Sequence, residues 1–422
     1  MTEQPSPERM PAIPLPQVIL SNVKGTWAYD TMSRRVKEDI LARIYEENDL
    51  NNDPSLNEAK YKLDLLSNEL THPEISLLTP IQNDGGDDVG EWNSKIMSPH
   101  FGKNWLDAPW LIAEFYFYRR IVEIFDFFTT KYDPFLKQKQ MGVLSALDSM
   151  ESLAKRLFAE NNLPTNERTK IFLSTSLWGN RVDLSLWPAS DEISPSKDEL
   201  VADLSSNLLA NDLTKVAEKV SKGGKKADII VDNAGFELFC DLCLADHLIS
   251  SKNVTEIVFH LKGHPTFVSD AMSKDMTWMI SYFKNLDEAL HPSLRKLGKK
   301  WERMIGEKKW VLKDHCYWAQ PYPFWEMPEE LYQEMGASSL IVVKGDANYR
   351  RLLGDRMWPL DAPFSGVASY WPAPVCALRT LKAELGCGMD KKAMKAASDE
   401  HKDWLVNGKY GVVQMFDPKE QG

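Results

Sequence analysis

From about Thr169 onward, short apolar runs alternate with segments of helical periodicity. Four of these runs predict strands, at 170–178 (KIFLSTSLW), 227–235 (ADIIVDNAG), 255–263 (TEIVFHLKG) and 338–346 (SSLIVVKGD). Helical segments follow the last three runs. Because strands that alternate with helices pair side by side through crossover connections, this order predicts an α/β domain with a largely parallel sheet.

The part of the chain before these runs has helical periodicity instead. Residues 26–158 carry apolar positions at spacings of three and four, as in RRVKEDILARIY and EAKYKLDLLSNEL. We therefore predict a helical N-terminal domain over 1–168 and an α/β domain over 169–422. The aromatic stretch 110–128 carries too many charges for lipid and is interpreted as a buried soluble helix. The Gly- and Asp-rich stretch 79–93 is predicted to be an exposed loop whose acidic side chains are solvated.

Charge and cysteine usage narrow the functional class. A formal net charge of −11 argues against a general nucleic-acid binder, which needs a basic face to neutralise phosphates. The N-terminal segment has no apolar run of signal-peptide length, so we expect an intracellular protein, in the cytoplasm with the nucleus as a second location. Five cysteines fit reduced thiols, and the CxxC of Cys240 and Cys243 fits buried helical thiols better than zinc.

Polar residues gather directly after three of the predicted strands. Asp232 and Asn233 end the second run, Asp270 lies in the loop after the third, and Asp346 and Asn348 follow the fourth. Ligands of open α/β sheets bind at the carboxyl ends of the strands. Oxygen ligands suit divalent cations such as magnesium or manganese. Helix capping is the alternative for any one of these residues, and it is less satisfactory for three sites at one edge.

Several cationic and acidic residues remain ambiguous. Arg379 and Lys382, in PVCALRTLKAE, are predicted to share a helical face, where they would clamp a phosphate or form a solvated surface. Arg350 and Arg351 have the same two interpretations. Glu237, early in a helix, would either complement the helix dipole or act in the site.

Two further pairs are interpreted structurally. Asn180 and Asp183 occupy a Gly-containing turn after the first run, where turn formation is favoured over a binding role. Arg119 and Glu123 stand at helical spacing in an apolar segment, where a structural ion pair is favoured over catalysis.

Several ordered motifs together resemble one known family. The segments SLWGNRVDLS, VDNAGFELFCDLCLAD, FVSDAM, VKGDANYRRL and LRTLKAE are similar to those of the damage-control phosphatase family, formerly catalogued as domain of unknown function 89. The RTLK segment matches the RTxK motif of its subfamily III, which includes sugar phosphate phosphatases. The resemblance implies a Rossmann-like three-layer α/β/α sandwich with an N-terminal helical domain and a divalent metal (manganese, magnesium, cobalt or nickel) at the carboxyl edge of the sheet.

The resemblance also implies roles for individual residues. Asp232, Asn233 and Asp270 would hold the metal and, with Lys382, act in catalysis. Substrate binding would involve Asp232, Asn233, Glu237, Asp346, Asn348, Arg350, Arg379 and Lys382. The implied reaction is metal-dependent hydrolysis of small phosphometabolites such as fructose 1-phosphate and fructose 6-phosphate, in a damage-control role, with neither nucleic acid nor membrane as a partner.

Other reactions stay open at this point. Related proteins have been assigned S-adenosylmethionine-dependent carboxyl methylation of protein glutamates. A Rossmann methyltransferase needs a Gly-rich turn after its first strand, and VDNAGFEL contains only Gly235, so we rank hydrolysis higher. A noncatalytic metabolite sensor is a third class. For hydrolysis itself, a metal-oriented water is favoured over covalent attack by Asp232.

Overall fold

The computed structural model describes residues 9–159, 163–179 and 205–420. Within these ranges seven strands form one sheet in the order β1-β7-β6-β5-β2-β3-β4. The strands are β1 (Leu208–Asn211), β2 (Lys226–Ile230), β3 (Glu256–Lys262), β4 (Trp310–His315), β5 (Leu340–Lys344), β6 (Val375–Thr380) and β7 (Gly411–Phe416). Neighbouring strands are parallel except β6 and β7, so β7 and β1 run opposite to the other five.

Both faces of the sheet are buried, which explains why the residues of its central strands are mostly apolar. Successive side chains of a strand point to opposite faces. In β5, Leu340 and Val342 enter one hydrophobic core, whereas Ile341 and Val343 enter the other. The sheet therefore separates two cores, and the predicted three-layer α/β/α architecture is confirmed.

Helices cover the two faces in different ways. The α-helices are Trp27–Asp30, Ala42–Glu47, Asn57–Glu69, Val89–Glu91, Trp110–Ile124, Phe127–Thr130, Leu136–Leu144, Leu147–Phe158, Thr165–Trp178, Leu213–Ser221, Phe236–Ser250, Ser273–Lys284, Pro292–Gly306, Glu329–Gly336, Asp346–Leu352, Phe364–Val367 and Lys391–Glu400. Stretches of π-helix span Thr31–Leu41 and Trp92–Ile96, and 3₁₀ helices span Pro54–Leu56, Ser98–His100, Cys316–Ala319, Phe324–Glu326 and Pro418–Glu420. The N-terminal helices share a core with one face of the sheet, and helices from 147–306 share a core with the other.

The expected helical character of 26–158 is confirmed, but the first predicted strand is wrong. Residues 170–178 lie in helix Thr165–Trp178, whose last seven residues are all buried. A short apolar run cannot be told from a buried helix by periodicity alone, so burial on every side produced the false signal. The proposed domain boundary at 168/169 falls within this helix and stays a prediction. Strands β1, β4, β6 and β7 were not among the four predicted runs.

The acidic loop is solvated only in part: Asp87 is exposed as expected, but two other carboxylates of the loop are not. Asp84 and Asp88 are buried, and both carboxylates bind the guanidinium of Arg119 at 2.6–3.1 Å. A fully buried arginine needs such partners to offset its desolvation. The Arg119–Glu123 pairing is therefore also wrong, since Glu123 lies 3.6 Å from Arg120 instead.

The aromatic helix and the CxxC cysteines were both predicted to be buried. Helix Trp110–Ile124 is buried along most of its length, as predicted. Among the helices of the described ranges, none has the length and apolarity needed to cross a bilayer. The five cysteines are free thiols, and Cys240 and Cys243 are buried in helix Phe236–Ser250, which confirms the interpretation as helical thiols.

Candidate active site

A cavity of about 550 Å³ opens at the carboxyl ends of β2, β3, β5 and β6. Its wall combines the edge of the sheet with the N-terminal helical layer. The sheet side supplies Asp232, Asn233, Phe267, Val268, Ser269, Asp270, Asp346, Ala347, Arg350, Lys382, Val406, Asn407 and Gly408, and the helical side supplies Trp27, Thr31, Arg35, Asp39, Ile40, Arg43, Trp110, Glu114 and Tyr118. Its volume is typical of a site for a small-molecule ligand.

The loops after β2 and β3 are fastened together by their backbones. Asn233 and Asp270 form an isolated antiparallel bridge. On either side of it, the Ala271 amide donates to the Asp232 carbonyl at 2.8 Å and the Ala234 amide donates to the Ser269 carbonyl at 2.7 Å. The side chains that the sequence predicted as a metal core are thus held next to one another.

Asn233 links the side chains of this core. Its Nδ2 donates to Asp232 Oδ2 and to Glu237 Oε2, each at 2.7 Å. Its Oδ1 accepts a short hydrogen bond from the Ser269 hydroxyl. A side-chain amide can donate and accept hydrogen bonds at once. The amide nitrogen of Asn233 therefore holds two carboxylates in place, while its amide oxygen faces Ser269.

The turn after β5 must contain glycine. Gly345 has a φ of +79°, a conformation that L side chains rarely adopt. A Cβ atom at this position would also collide with the carboxylate of Asp232. The backbone of the β5 turn therefore presses directly against the proposed metal core.

The chemistry of these carboxylates fits a divalent cation. Among the described residues, Asp232 Oδ1 is buried without a hydrogen-bond partner. Asp270 Oδ2 also lacks a hydrogen bond, although the Lys262 ammonium lies 3.3 Å away. Burial raises the pKa of both carboxyls, that of Asp270 to about 6, and repulsion from Asp270 raises the pKa of Asp232 further. A hard cation would compensate these buried charges.

A second group of side chains that could bind a metal, formed by Asp228, His260 and Glu334, does not carry uncompensated charge. Asp228, His260 and Glu334 bring their ligand atoms within 4.8 Å of one another. However, Lys226 Nζ lies 3.2 Å from Asp228, Lys313 Nζ lies 2.5 Å from Glu334, and the His260 ring is hydrogen-bonded to Asp228 at 2.7 Å. The two ammonium groups balance the two carboxylates, so this group is an ion-pair cluster.

The predicted Arg379–Lys382 clamp takes a different form. Arg379 lies in strand β6 and not on a helix, because the short run VCAL before it is a fully buried strand. Its guanidinium is buried and donates to Asp346 Oδ1 at 2.7 Å and to the carbonyls of Leu385 and Ala383. Arg379 thus holds Asp346 and the loop after Lys382. Arg379 itself does not line the cavity, whereas Asp346 does.

Lys382 itself lines the cavity. It is half-buried, and its ammonium makes no hydrogen bond or ion pair within the part of the chain that the structure describes. Its backbone amide donates weakly to Asp346 Oδ1, at 3.3 Å. Of the two cations in the RTLK motif, Lys382 is therefore the one available to a ligand.

Of the other predicted substrate residues, Arg350 lines the cavity, whereas Asn348 and Glu237 do not. Glu114 and Asp355 bind the guanidinium of Arg350. Asn348 is fully buried and donates to the carbonyls of Val231 and Lys344, so it supports the turn after β5. Glu237 lies behind Asn233 and accepts from Lys344 at 3.2 Å. Asn180 and Asp183 lie outside the described residues.

The sequence did not reveal the helical side of the cavity. Arg35, Arg43 and Tyr118 come from segments whose periodicity indicates helices but not what lies against them. Phe267 and Val268 were also missed, and both have left-handed φ values, +47° and +64°. Such values are strained for a β-branched residue and cluster at functional sites, but no sequence pattern signals them here.

Comparisons with known proteins identify the family of this chain. The sequence model described as "Damage-control phosphatase ARMT1-like domain" matches residues 7–397. The chain therefore belongs to the ARMT1-like damage-control phosphatase family.

Curated relatives carry the same description. The chain is 36% identical to "Damage-control phosphatase ARMT1" of Rattus norvegicus over 358 residues, which is 78% of this chain and 79% of that protein. It is 33% identical to the Homo sapiens protein of that name over 436 residues, 93% of this chain and 97% of that protein. A solved DUF89 family structure from Pyrococcus horikoshii matches at 14% identity with a TM-score of 0.46, covering 91% of this chain and 96% of that one.

Proposed function

We propose that this protein is a metal-dependent phosphatase of small phosphorylated metabolites, with fructose 1-phosphate and fructose 6-phosphate as representative substrates. One observation carries the proposal. Buried carboxylate oxygens of Asp232 and Asp270 without hydrogen-bond donors meet an uncompensated lysine, Lys382, in one cavity. This combination suits a cation and the phosphate that it binds. Membership of the damage-control phosphatase family supports the same reaction class.

The chain's own residues divide the work. Asp232, Asn233 and Asp270 would hold the cation, which supplies Lewis-acid activation of the phosphoryl group. Lys382 binds a phosphate oxygen and offsets the negative charge that develops as the ester bond breaks. Trp110 and Phe267 supply aromatic parts of the cavity wall.

Residues outside the cavity set the positions of these groups. Arg379 anchors Asp346 and the loop that follows Lys382. Lys262 lies 3.3 Å from Asp270 and donates to the carbonyl of Trp318 at 2.8 Å, which ties this carboxylate to the loop after β4. A site held in this way needs little rearrangement when substrate binds.

The nucleophile is a water molecule in this proposal. Asp232 remains an alternative nucleophile, because one of its oxygens has no hydrogen bond to a described residue. A rapid-quench single turnover with ³²P-labelled substrate distinguishes the two routes. An aspartyl-phosphate appears as protein-bound label that hydroxylamine releases, whereas direct attack by water leaves the protein unlabelled throughout.

No structural observation favours the methyltransferase alternative. The turn after β2 presents Asp232 and Asn233 to the cavity, whereas a dinucleotide-type or nucleoside-type cofactor needs close approach to a Gly-rich backbone. We therefore do not propose methyl transfer. The damage-control role and a location in the cytoplasm and nucleus remain part of the proposal.

The decisive experiment is a phosphate-release screen over sugar phosphates and other small phosphoesters, with manganese, magnesium, cobalt and nickel. Release from fructose phosphates that ends on chelation and returns with one of these metals would support the proposal. Full activity in metal-free protein would overturn its mechanism, and no release from any phosphoester would overturn the function.

A further inference from the structure

The loop that leads from β3 to Asp270 contains a rare, tight turn. The Ser269 amide donates to the Phe267 carbonyl at 2.6 Å, across Val268, which has a φ of +64°. A hydrogen bond that spans three residues with a positive φ at the centre is typical of the classic γ-turn, which is rare and strained. For a β-branched residue such as valine, a positive φ is unusual in itself. The chain therefore adopts an unfavourable conformation directly before Asp270.

Contacts on both sides hold this turn in place. The ring of Phe267 packs edge-on against Phe115, with 4.8 Å between ring centroids, and lies 5.0 Å from the ring of Tyr118. On the other side, the Ala234 amide donates to the Ser269 carbonyl at 2.7 Å. Local strain persists only where the surrounding structure determines the conformation, and it clusters at functional sites. The turn is thus fixed between the helical layer and the edge of the sheet.

The turn presents the Ser269 hydroxyl to the side-chain amide of Asn233. The hydroxyl donates a short hydrogen bond to Asn233 Oδ1, and its distance to the Phe267 carbonyl is longer, at 3.4 Å. Asn233 Nδ2 donates to the carboxylates of Asp232 and Glu237, which uses both of its hydrogens. An amide oxygen accepts two hydrogen bonds, so Asn233 Oδ1 keeps one lone pair for a further partner such as a cation.

This network also fixes which way round the Asn233 amide lies. If the amide were turned over, its oxygen would face the carboxylates of Asp232 and Glu237, and acceptor would meet acceptor. The loop does not need the Ser269 hydroxyl for its own closure, because the backbone amide and carbonyl of Ser269 already bind Phe267 and Ala234. The hydroxyl therefore serves the orientation of Asn233.

We propose that Ser269 is a positioning residue for the metal-binding oxygen of Asn233, and that the strained turn at Val268 holds its hydroxyl there. Partners that orient a metal ligand from behind change the affinity for the metal about 10–100-fold. Glycine in place of Val268 would form the turn with less strain, but it would also give Ser269 more freedom. This inference rests on the proposed metal-dependent function, because it requires that Asn233 hold the cation.

The test is calorimetric titration of the full-length, chelator-treated protein with manganese. Ser269→Ala, which deletes the hydroxyl, should raise the dissociation constant for manganese about 10–100-fold. Ser269→Thr keeps a hydroxyl on the same carbon and should stay within about threefold of wild type. Ser221→Ala is the matched control, since Ser221 is exposed and its hydroxyl donates to the Glu218 carbonyl. This control should bind manganese as wild type does.

A second variant tests the turn itself, and it decides the question if Ser269→Ala does not fold. Val268→Gly should leave the melting temperature unchanged or raise it, because relief of strain offsets the greater freedom of glycine in the unfolded chain. Since the turn then has other conformations open to it, manganese should bind about three- to tenfold more weakly. Val23→Gly, at an exposed position whose φ is not positive, should lower the melting temperature and leave manganese affinity unchanged.

The outcomes separate this inference from the proposed function. Wild-type protein that binds no manganese and releases no phosphate from any ester overturns both. Metal-dependent phosphate release together with unchanged manganese affinity in Ser269→Ala leaves the function standing and overturns the inference. An equal loss of affinity in Ser269→Ala and Ser269→Thr also overturns it, because the hydroxyl would then not be responsible. A lower melting temperature with wild-type manganese affinity in Val268→Gly would show that the turn has no part in the site.

Discussion

Arg379 donates its Nε–H to the Asp346 carboxylate at 2.7 Å, and this pair joins strand β6 to the start of the helix after β5. The same guanidinium also binds the carbonyls of Ala383 and Leu385. One buried arginine therefore holds both Asp346 and the loop that follows Lys382.

Arg379→Lys tests this dependence, because lysine keeps the charge but cannot form the same planar set of hydrogen bonds. We expect the free energy of unfolding to fall by about 2–3 kcal/mol and kcat/KM to fall by about 10–100-fold. Urea unfolding and steady-state kinetics measure the two effects. Arg303→Lys, at an exposed helical position, is the control. Full stability and activity in Arg379→Lys would show that the anchor is dispensable.

Asp232→Asn and Asp270→Asn should each abolish phosphatase activity and weaken manganese binding, since each change removes a negative charge from the proposed ligand set. Calorimetric titration with manganese measures the second effect. Asp390→Asn is the matched control, because Asp390 caps helix Lys391–Glu400, a role that Asn fills as well as Asp. If both site variants keep wild-type activity, these carboxylates are only structural.

Lys382→Ala should lower kcat by roughly 10²–10³, the scale for removal of one preorganised group that stabilises transition-state charge. The melting temperature should change little, because no described residue depends on this ammonium for a hydrogen bond. Lys391→Ala, which removes an exposed lysine paired with Asp361, serves as the control. Wild-type turnover in Lys382→Ala would remove the RTLK lysine from the mechanism.

Acid should weaken the fold at His247. Its ring stacks on Phe172 at 4.4 Å and is hydrogen-bonded to Thr169 at 2.9 Å. Burial, with a smaller contribution from Arg168, lowers the pKa of His247 from 6.5 to about 4. The unfolded chain therefore takes up the proton first, and stability that is complete above pH 6.5 is lost as the pH falls toward 4.

Between pH 7 and pH 4.5, His247 should lower the free energy of unfolding by an amount on the order of 2–3 kcal/mol. His247→Gln, which stays neutral, should remove this part of the pH dependence in urea unfolding between pH 7 and 4.5. His72→Gln, at an exposed position, controls for the loss of a histidine. An unchanged pH dependence in His247→Gln would show that another group governs the acid response.

The sheet side of the site could be predicted because parallel strands end at one edge. Asp232 and Asp270 meet there although they are far apart in sequence, whereas Lys382 was assigned to the site by the family resemblance and not by a predicted strand. Arg379 was misplaced since a spacing of three was read as helical, whereas the short buried strand β6 carries it. Arg43 and Tyr118 could not be predicted as cavity residues. Helical periodicity identifies the apolar face of a helix, but it does not show which other part of the molecule a given face lies against.

The position of β7 in the sheet has a consequence for synthesis. This strand, formed by residues 411–416, lies between β1 and β6. In the described sheet β7 is the neighbour of β1, so during translation β1 stays unpaired until residues 411–416 have left the ribosome. Such distant pairing is slow, and an unpaired strand edge invites association with other chains. A protein shortened before Gly411 would lose the bridge that holds β1, together with the antiparallel partner of the strand that carries Arg379.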